Sequence, residues 1–154
     1  MSKKIVGFCE WGSLPDLGVP AIKMKMDTGA KYSALHAENL ILSTRDGRSM
    51  LSFELKPLSD FPFIRRCEAE CVGQKTIKTS GGLVENRYLI ETHIRLGNDQ
   101  WTTFISLTDR SKMSINMLLG RDTLWGRFVV DPEYRYCFGK LSMKEIGRKY
   151  GESL

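Results

Sequence analysis

The sequence predicts an all-β domain, and two observations support this prediction. Short segments alternate apolar and polar residues with the period of two that is typical of half-buried strands. Turn signals rich in glycine, proline, asparagine and aspartate separate these segments along most of the chain. Helical patterns are rare, with one turn after Asp122 and a short basic helix over residues 142–150. We therefore expect a β-barrel or a β-sandwich.

The first half of the chain contains regular alternation interrupted by turns. Residues 11–18 contain glycine and proline and predict a turn. Asp46-Gly47 lies between two apolar runs, which is a strong hairpin signal. The strands expected in this half cover residues 3–10, 22–26, 50–55 and 63–72.

The second half contains two more hairpin signals. Residues 73–87 are polar and basic, and Gly81-Gly82 near their middle predicts a hairpin with a mobile tip. Residues 97–99, Gly-Asn-Asp, join two alternating segments. We expect strands over residues 88–96 and 100–107, a buried apolar run over residues 114–122 and a last hairpin over residues 127–138.

Length, composition and charge narrow the classes of protein. A chain of 154 residues fits one domain with a core of its own, and its 42% hydrophobic and 27% charged residues fit a globular protein. No apolar run reaches the length of a membrane span and no secretion signal is visible, so we expect a cytoplasmic protein without a membrane partner. The net charge of +5 is spread evenly, which favours acidic partners but not nucleic acid.

Cysteine and histidine residues do not indicate a metal site. The four cysteines are scattered, and a reducing compartment disfavours disulfides. Cys67 and Cys71 lack the spacing of a zinc knuckle, and the histidines are His36 and His93. Cysteines that pack in strands or in the core are the favoured interpretation, and we expect no metal and no cofactor.

A turn at Asp27 is the first candidate functional feature. The strand before it alternates apolar residues with lysines, and the alternation stops at Asp27-Thr28-Gly29-Ala30. Gly29 allows a turn that a residue with a Cβ would resist. Two interpretations are open here: Asp27 caps the turn through its own backbone, or it is a carboxylate placed for chemistry.

Two motifs together resemble the retropepsin-like aspartic peptidases. They are Met26-Asp-Thr-Gly-Ala30 and, about ninety residues later, Asn116-Met-Leu-Leu-Gly-Arg-Asp-Thr-Leu124, with the Gly81-Gly82 hairpin between them. The resemblance implies a closed β-barrel with a flap hairpin and a short carboxyl-terminal helix. The resemblance covers about residues 19–125, and we expect one domain over residues 1–140 followed by a basic helical tail over residues 141–154.

The residues around the first motif and in the hairpin are similar to one bacterial branch of these peptidases. Residues 25–37 and 81–87 resemble the RimB-like family, also called "ATP-dependent zinc protease", which is associated with RimK-type ATP-grasp glutamate ligases. The resemblance implies cleavage of oligoglutamate or polyglutamate tails, with such a ligase as a partner. The sequence contains neither a His-Glu-x-x-His motif nor a phosphate-binding loop, so it does not support the zinc and ATP of the family name.

Amide hydrolysis by carboxylates needs two of them, one ionised and one protonated. The chain has one Asp-Thr-Gly, so the resemblance implies a homodimer that pairs Asp27 of both subunits. Asp27, Thr28 and Gly29 are then the catalytic set, with Thr28 hydrogen-bonded to the partner's loop. Two alternatives are a non-catalytic peptide-binding or dimerisation module and, with less support, a zinc hydrolase.

The resemblance also predicts residues that bind a peptide substrate. Residues 75–87 form the flap. In viral-type retropepsins an acidic residue follows Asp-Thr-Gly-Ala and pairs with the arginine of the second motif, but Lys31 stands there in this chain. Arg121 therefore either pairs with another acid, such as Asp122 or Glu38, or meets acidic substrate with Lys31. The expected substrate-binding residues are Ala30, Lys31, Lys78, Gly81, Gly82, Arg87 and Arg121.

Overall fold

The computed structural model describes residues 2–151, and most of its regular structure is β-strand. The all-β prediction is confirmed. The strands are β1 (Lys4–Val6), β2 (Cys9–Leu14), β3 (Val19–Met26), β4 (Ser33–His36), β5 (Glu38–Arg45), β6 (Arg48–Leu55), β7 (Arg65–Glu70), β8 (Gly73–Lys78), β9 (Val84–Leu96), β10 (Asp99–Thr108), β11 (Met117–Leu119) and β12 (Phe128–Val130). The helices are α1 (Arg121–Leu124) and α2 (Met143–Tyr150), and a 3-10 turn covers Pro15–Leu17.

The main sheet brings the ends of three strands to one place. Its order is β10-β4-β11-β3-β2-β9-β8, and β10 also pairs with β9. β11 runs parallel to β3, with Leu119 opposite Met26, and antiparallel to β4. The carboxyl ends of β3 and β11 and the amino end of β4 therefore meet, and Asp27, Gly120 and Ser33 lie there.

The core follows the alternation of the strands. In β3, Ile22, Met24 and Met26 are buried whereas Lys23 and Lys25 are exposed, as the sequence predicts. Burying an aliphatic side chain of this size stabilises the fold by about 1.5–3 kcal/mol. Other fully buried members of the same core are Leu14, Leu35, Leu51, Leu55, Ile90, Ile94, Leu96, Ile105, Leu107 and Met117.

Two hairpins confirm their turn signals. Asp46 and Gly47 both have positive φ, at 52° and 77°, and they join β5 to β6 in a three-stranded sheet with β7. A two-residue turn of this kind matches the twist of antiparallel strands. β8 and β9 form the second hairpin, connected by residues 79–83.

The strand predicted over residues 3–10 is two strands. Its first part, β1, pairs with β12, and its second part, β2, pairs with β3. The extended strand is interrupted at Gly7, where a Cβ would lie 2.3 Å from the carbonyl oxygen of Tyr134. A close approach of two distant backbone segments causes this break, and the local alternation pattern does not reveal it.

The prediction of a hairpin over residues 127–138 is wrong. β12 pairs in parallel with β1, and the following residues turn around the carboxylate of Glu10 instead of forming a second strand. Glu10 is fully buried and accepts hydrogen bonds from the backbone N–H groups of Gly7 (2.7 Å), Cys137 (2.9 Å) and Phe138 (3.2 Å). The backbone N–H groups of Cys137 and Phe138 therefore bond to the Glu10 carboxylate rather than to a partner strand.

The basic carboxyl-terminal helix is present as α2. Ser142 and Glu145 form a capping box at its amino end, which satisfies two backbone N–H groups. Ile146 and Tyr150 pack in a small second core with Ala21 and residues 58–63, and burial raises the pKa of Tyr150 to about 12. A boundary between domain and tail at residues 140–141 stays a prediction. Within residues 2–151, no helix is long and apolar enough to cross a membrane.

Replacing Glu10 by Gln should destabilise the fold by about 2–4 kcal/mol, because the amide loses the charge that three backbone donors share and turns an N–H group towards them. The free energy of unfolding, measured in urea, checks this. Glu91→Gln, at an exposed position of β9, is the matched control. Equal stability of the two variants would contradict a structural role for the Glu10 carboxylate.

Candidate active site

Asp27 lies directly after β3 and is held from both sides. Its backbone N–H donates to the carbonyl oxygen of Leu119 at 2.9 Å, and its own carbonyl oxygen accepts from Ala30 at 3.2 Å. The side-chain Oδ1 accepts from the backbone N–H of Gly29 at 3.0 Å. The Asp27 carboxylate therefore caps its own turn. Among the described residues, Oδ1 is the only oxygen of this carboxylate that accepts a hydrogen bond.

Gly29 is needed for a reason other than the one expected. Its φ does not lie in the left-handed region. A Cβ on Gly29 would lie 3.2 Å from Oδ1 of Asp27, which is closer than ordinary van der Waals contact. The glycine therefore leaves room for the carboxylate rather than allowing an unusual backbone conformation.

Gly120 lets the second motif pack against the first. A Cβ at this position would lie 2.6 Å and 2.7 Å from the carbonyl carbon and oxygen of Tyr32. The backbone N–H groups that follow donate across the contact, from Arg121 to Ala30 at 2.8 Å and from Asp122 to Lys31 at 3.0 Å. The two motifs are joined backbone to backbone.

Arg121 contacts the carbonyl group of the Asp27 turn. Its Nη1 donates to the carbonyl oxygen of Thr28 at 2.9 Å. Neither Asp122 nor Glu38 forms an ion pair with it in the described part of the chain, so the expected acid partner is not found. Glu38 instead forms an ion pair with Lys56, with 3.1 Å between Oε2 and Nζ, and Lys56 lowers the pKa of Glu38.

A chain of hydroxyl groups lies beneath the turn. Ser33 Oγ accepts from the backbone N–H of Gly120 at 3.1 Å and is hydrogen-bonded to Thr123. Thr123 also contacts Thr103 at 2.8 Å, and Ser106 donates to the Ser33 carbonyl oxygen at 2.9 Å. These groups tie β4, β10 and α1 together. The sequence analysis missed them, although serine and threonine in otherwise buried segments were a usable signal.

One chain presents one carboxylate at this site. Across residues 2–151, no second carboxylate is hydrogen-bonded to Asp27. Thr28 is exposed beside it and lines an open cavity of about 350 Å³ together with Arg121 and apolar residues. Trp125, which is 82% exposed, forms part of this lining, with Leu124, Phe128 and Val130.

Lys78, Gly81 and Gly82 lie together at the tip of the β8–β9 hairpin. Lys78 pairs with Val84, and Gly82 has a φ of +82° in the connecting turn. The tip is exposed, and none of the hydrogen bonds found between residues 2 and 151 joins it to the Asp27 turn. The structure therefore places these predicted residues on one hairpin tip that is not hydrogen-bonded to the Asp27 turn in the described part of the chain.

Lys31 and Arg87 present positive charge near the turn. Lys31 is exposed, and its Nζ lies 5.3 Å from the centroid of the Tyr32 ring. The Arg87 side chain is only 15% exposed, and its Nε donates to Oε2 of Glu85 at 2.9 Å. Thr108 donates to the same oxygen, at 3.3 Å, so Glu85 links β9 to the end of β10.

Arg110 is a basic residue that the sequence analysis did not select. It follows β10 and is half-buried, and its Nε has no hydrogen-bond partner among the described residues. Burial lowers the pKa of Arg110, and the positive charge of Arg87 lowers it further, whereas the negative charge of Asp27 opposes this shift. Arg110 is therefore within electrostatic range of both Arg87 and Asp27.

In the described residues, no three histidine, cysteine, aspartate or glutamate side chains are grouped as metal ligands would be. Burial raises the pKa of the Cys67 thiol to about 11, so this cysteine stays protonated at neutral pH. Cys67 packs against the main core, as the sequence analysis expects for core cysteines.

The fold and the paired motifs define a retropepsin-like protein, in which an Asp-Thr-Gly turn is supported by a Gly-Arg-Asp segment. The family model described as RimB-like, "Retropepsin-like aspartic endopeptidase RimB", matches residues 5–140. The chain belongs to this RimB-like family.

Relatives and a solved structure agree with this assignment. Proteins named "Probable alpha-L-glutamate ligase" from Desulfotalea psychrophila and Shewanella halifaxensis are 38% and 40% identical over 151 residues. These matches cover 97% of this chain, which spans about a third of the relatives' length (32% and 33%). A crystal structure of a Legionella pneumophila protein with unknown function superposes with a TM-score of 0.76 at 29% identity, covering 89% of this chain and 99% of the other.

Replacing Gly120 by Ala should destabilise the protein by about 1–3 kcal/mol, because the new methyl group overlaps the backbone at Tyr32 and forces the two motifs apart. Thermal unfolding monitored by circular dichroism checks the loss. Gly81→Ala is the control, because its nearest neighbour would be a side-chain atom of Thr79 at 3.8 Å. Unfolding midpoints that fall equally would show that the close packing at Gly120 is not needed.

Proposed function

We propose that this protein is an aspartic peptidase that acts as a homodimer and hydrolyses amide bonds in glutamate-rich segments, including polyglutamate tails. The observation that carries the proposal is the Asp27 carboxylate itself. It is held on a turn by Leu119 and Gly29, while Oδ2 makes no hydrogen bond among the described residues. A carboxylate oxygen fixed in this way is suited to accept a proton from water.

The second carboxylate of the reaction comes from Asp27 of the other subunit. Two carboxylates about 3 Å apart share one proton because both cannot be ionised together. The ionised one removes a proton from water, and the protonated one donates to the carbonyl oxygen of the substrate. Thr28 and Gly29 complete the catalytic set, with Thr28 exposed and able to bond the partner's loop.

The apolar surface around Trp125 supports a dimer at the same face. It adjoins Thr28, and the 82% exposed side chain of Trp125 offers apolar surface that a partner could bury. A two-fold axis through this region would put the same patch on both subunits and bring the two Asp27 turns together.

The substrate-binding part of the proposal places an extended peptide between the turn and the flap. Ala30 and the backbone at Gly81 and Gly82 bond the peptide by strand addition, and flap closure excludes water. Lys31, Lys78 and Arg87 provide positive charge for acidic side chains of the substrate. Arg121 adds to this charge through the guanidinium N–H groups other than the one on Nη1 that bonds to Thr28. The relatives named as glutamate ligases support glutamate amides as the substrate class and a RimK-type ligase as a partner.

The second candidate function is a peptide-binding or dimerisation module without catalysis. The fact that Oδ1 of Asp27 caps its own turn favours it, since such a carboxylate would have a structural role in an inactive protein.

Replacing Asp27 by Asn separates the two functions. We expect turnover of a glutamate-rich peptide to fall by at least about 10²-fold because the amide cannot serve as a base, while peptide binding persists. Peptide cleavage followed by mass spectrometry measures turnover, and calorimetry measures binding. Asp60→Asn, in an exposed turn, is the control. Unchanged cleavage by Asp27→Asn would refute the peptidase proposal.

Replacing Trp125 by Ala should weaken the dimer by about 30-fold or more, because a buried tryptophan at an interface often contributes at least 2 kcal/mol. Sedimentation equilibrium measures the dissociation constant. Phe104→Ala, an exposed aromatic residue on β10 outside this cavity, is the control. A monomeric wild-type protein that still cleaves peptides would overturn the shared dyad.

A further inference from the structure

We propose that Arg110 is a specificity-determining residue that binds the side-chain carboxylate of an acidic substrate residue beside the scissile amide. The role in specificity rests on the peptidase function proposed above. The carboxylate site itself does not, since it is defined by the surroundings of Arg110.

Backbone and side-chain bonds hold Arg110 in place. Its backbone N–H donates to Nδ1 of His36 at 2.8 Å, and its Nη2 donates to the carbonyl oxygen of Ile115 at 3.3 Å. Its carbonyl oxygen accepts from Met113 at 2.8 Å. The loop between β10 and β11 is therefore tied to β4 and to itself. A guanidinium held in this way loses little conformational freedom when a ligand binds.

The Arg110 side chain is half-buried, and the described residues supply no anion to it. Its Nε is inaccessible to solvent and unpartnered, and no carboxylate forms an ion pair with it among residues 2–151. Its neighbour in sequence, Asp109, is exposed and accepts from the backbone N–H of Ser111 instead. A partly desolvated positive charge without a partner is unfavourable, so a carboxylate supplied by a ligand would stabilise this position.

Arg87 strengthens the same preference. Its charge disfavours that of Arg110, and Glu85 engages its Nε only. A carboxylate placed at the two guanidinium groups would offset their repulsion and accept charge-assisted hydrogen bonds. A neutral glutamine side chain of the same length can do neither.

Nearness to Asp27 gives this site a position along the substrate. The backbone of Arg110 bonds to His36 at the carboxyl end of β4, and Ser33, at the amino end of the same four-residue strand, accepts from Gly120 beside the Asp27 turn. A ligand bound by Arg110 therefore lies close to the reacting amide and leaves Asp27 free for water. This arrangement selects a residue next to the scissile bond rather than one at a distance along the chain.

Two matched peptides test the proposal, one of glutamate residues and one of glutamine residues of the same length. Binding is measured by calorimetry in the Asp27→Asn background, with and without Arg110→Gln. We expect Arg110→Gln to weaken binding of the glutamate peptide about 10- to 100-fold and to leave the glutamine peptide unchanged. Arg110→Lys should recover part of the loss, because it keeps the charge without the planar fork. Arg66→Gln, at an exposed position of β7, should change neither.

The outcomes separate this proposal from the proposed function. Equal weakening with both peptides, or no weakening, would refute the carboxylate site even if the wild-type protein hydrolyses amides. If Arg110→Gln weakens binding of the glutamate peptide only, and the wild-type protein hydrolyses no peptide, the carboxylate site stands and the peptidase function is refuted. If Arg110→Gln fails to fold, the Arg110→Lys variant decides, since the same selective loss, smaller in size, is required of it.

Discussion

The contact between Gly120 and the backbone of Tyr32 is the constraint on which the rest of the site depends. It requires a residue without a Cβ, because two backbone segments about ninety residues apart approach within a side chain's width. The parallel pairing of β3 with β11 brings them together, and the Leu119 carbonyl group then fixes the backbone of Asp27. The position of the carboxylate is therefore a product of strand register rather than of the turn alone.

The same constraint explains why several polar groups are buried beneath the turn. The backbone N–H of Gly120 needs an acceptor where water is excluded, and Ser33 provides it. Ser33 in turn contacts Thr123 on α1, so the first turn of that helix is fixed to the strand that follows Asp27. A network in which each hydroxyl has a partner makes the site rigid. Catalysis by carboxylates needs that rigidity, since the reacting groups must be held in place.

Features set by local pattern could be predicted from the sequence, and features set by distant contacts could not. The alternation at residues 22–26 and the Asp46-Gly47 turn depend on neighbours in the chain, and both are found as predicted. The break at Gly7 and the turns around Glu10 depend on residues more than a hundred positions away. Arg110 was missed for the same reason: nothing in its own segment indicates that burial leaves its Nε without a partner.

Two groups at the site, Asp27 and Arg110, would each be completed by a further carboxylate. The two carboxylates would come from different molecules. In the proposed peptidase, Asp27 needs a second carboxylate to share a proton, and a symmetric partner would present the same turn. Arg110 has no anion among the described residues, and a second copy of Asp27 could not serve it without disabling the proposed dyad. The substrate is the remaining source. In the proposed peptidase, dimerisation would therefore supply the second carboxylate, an acidic side chain of the substrate would neutralise Arg110, and cleavage would need both.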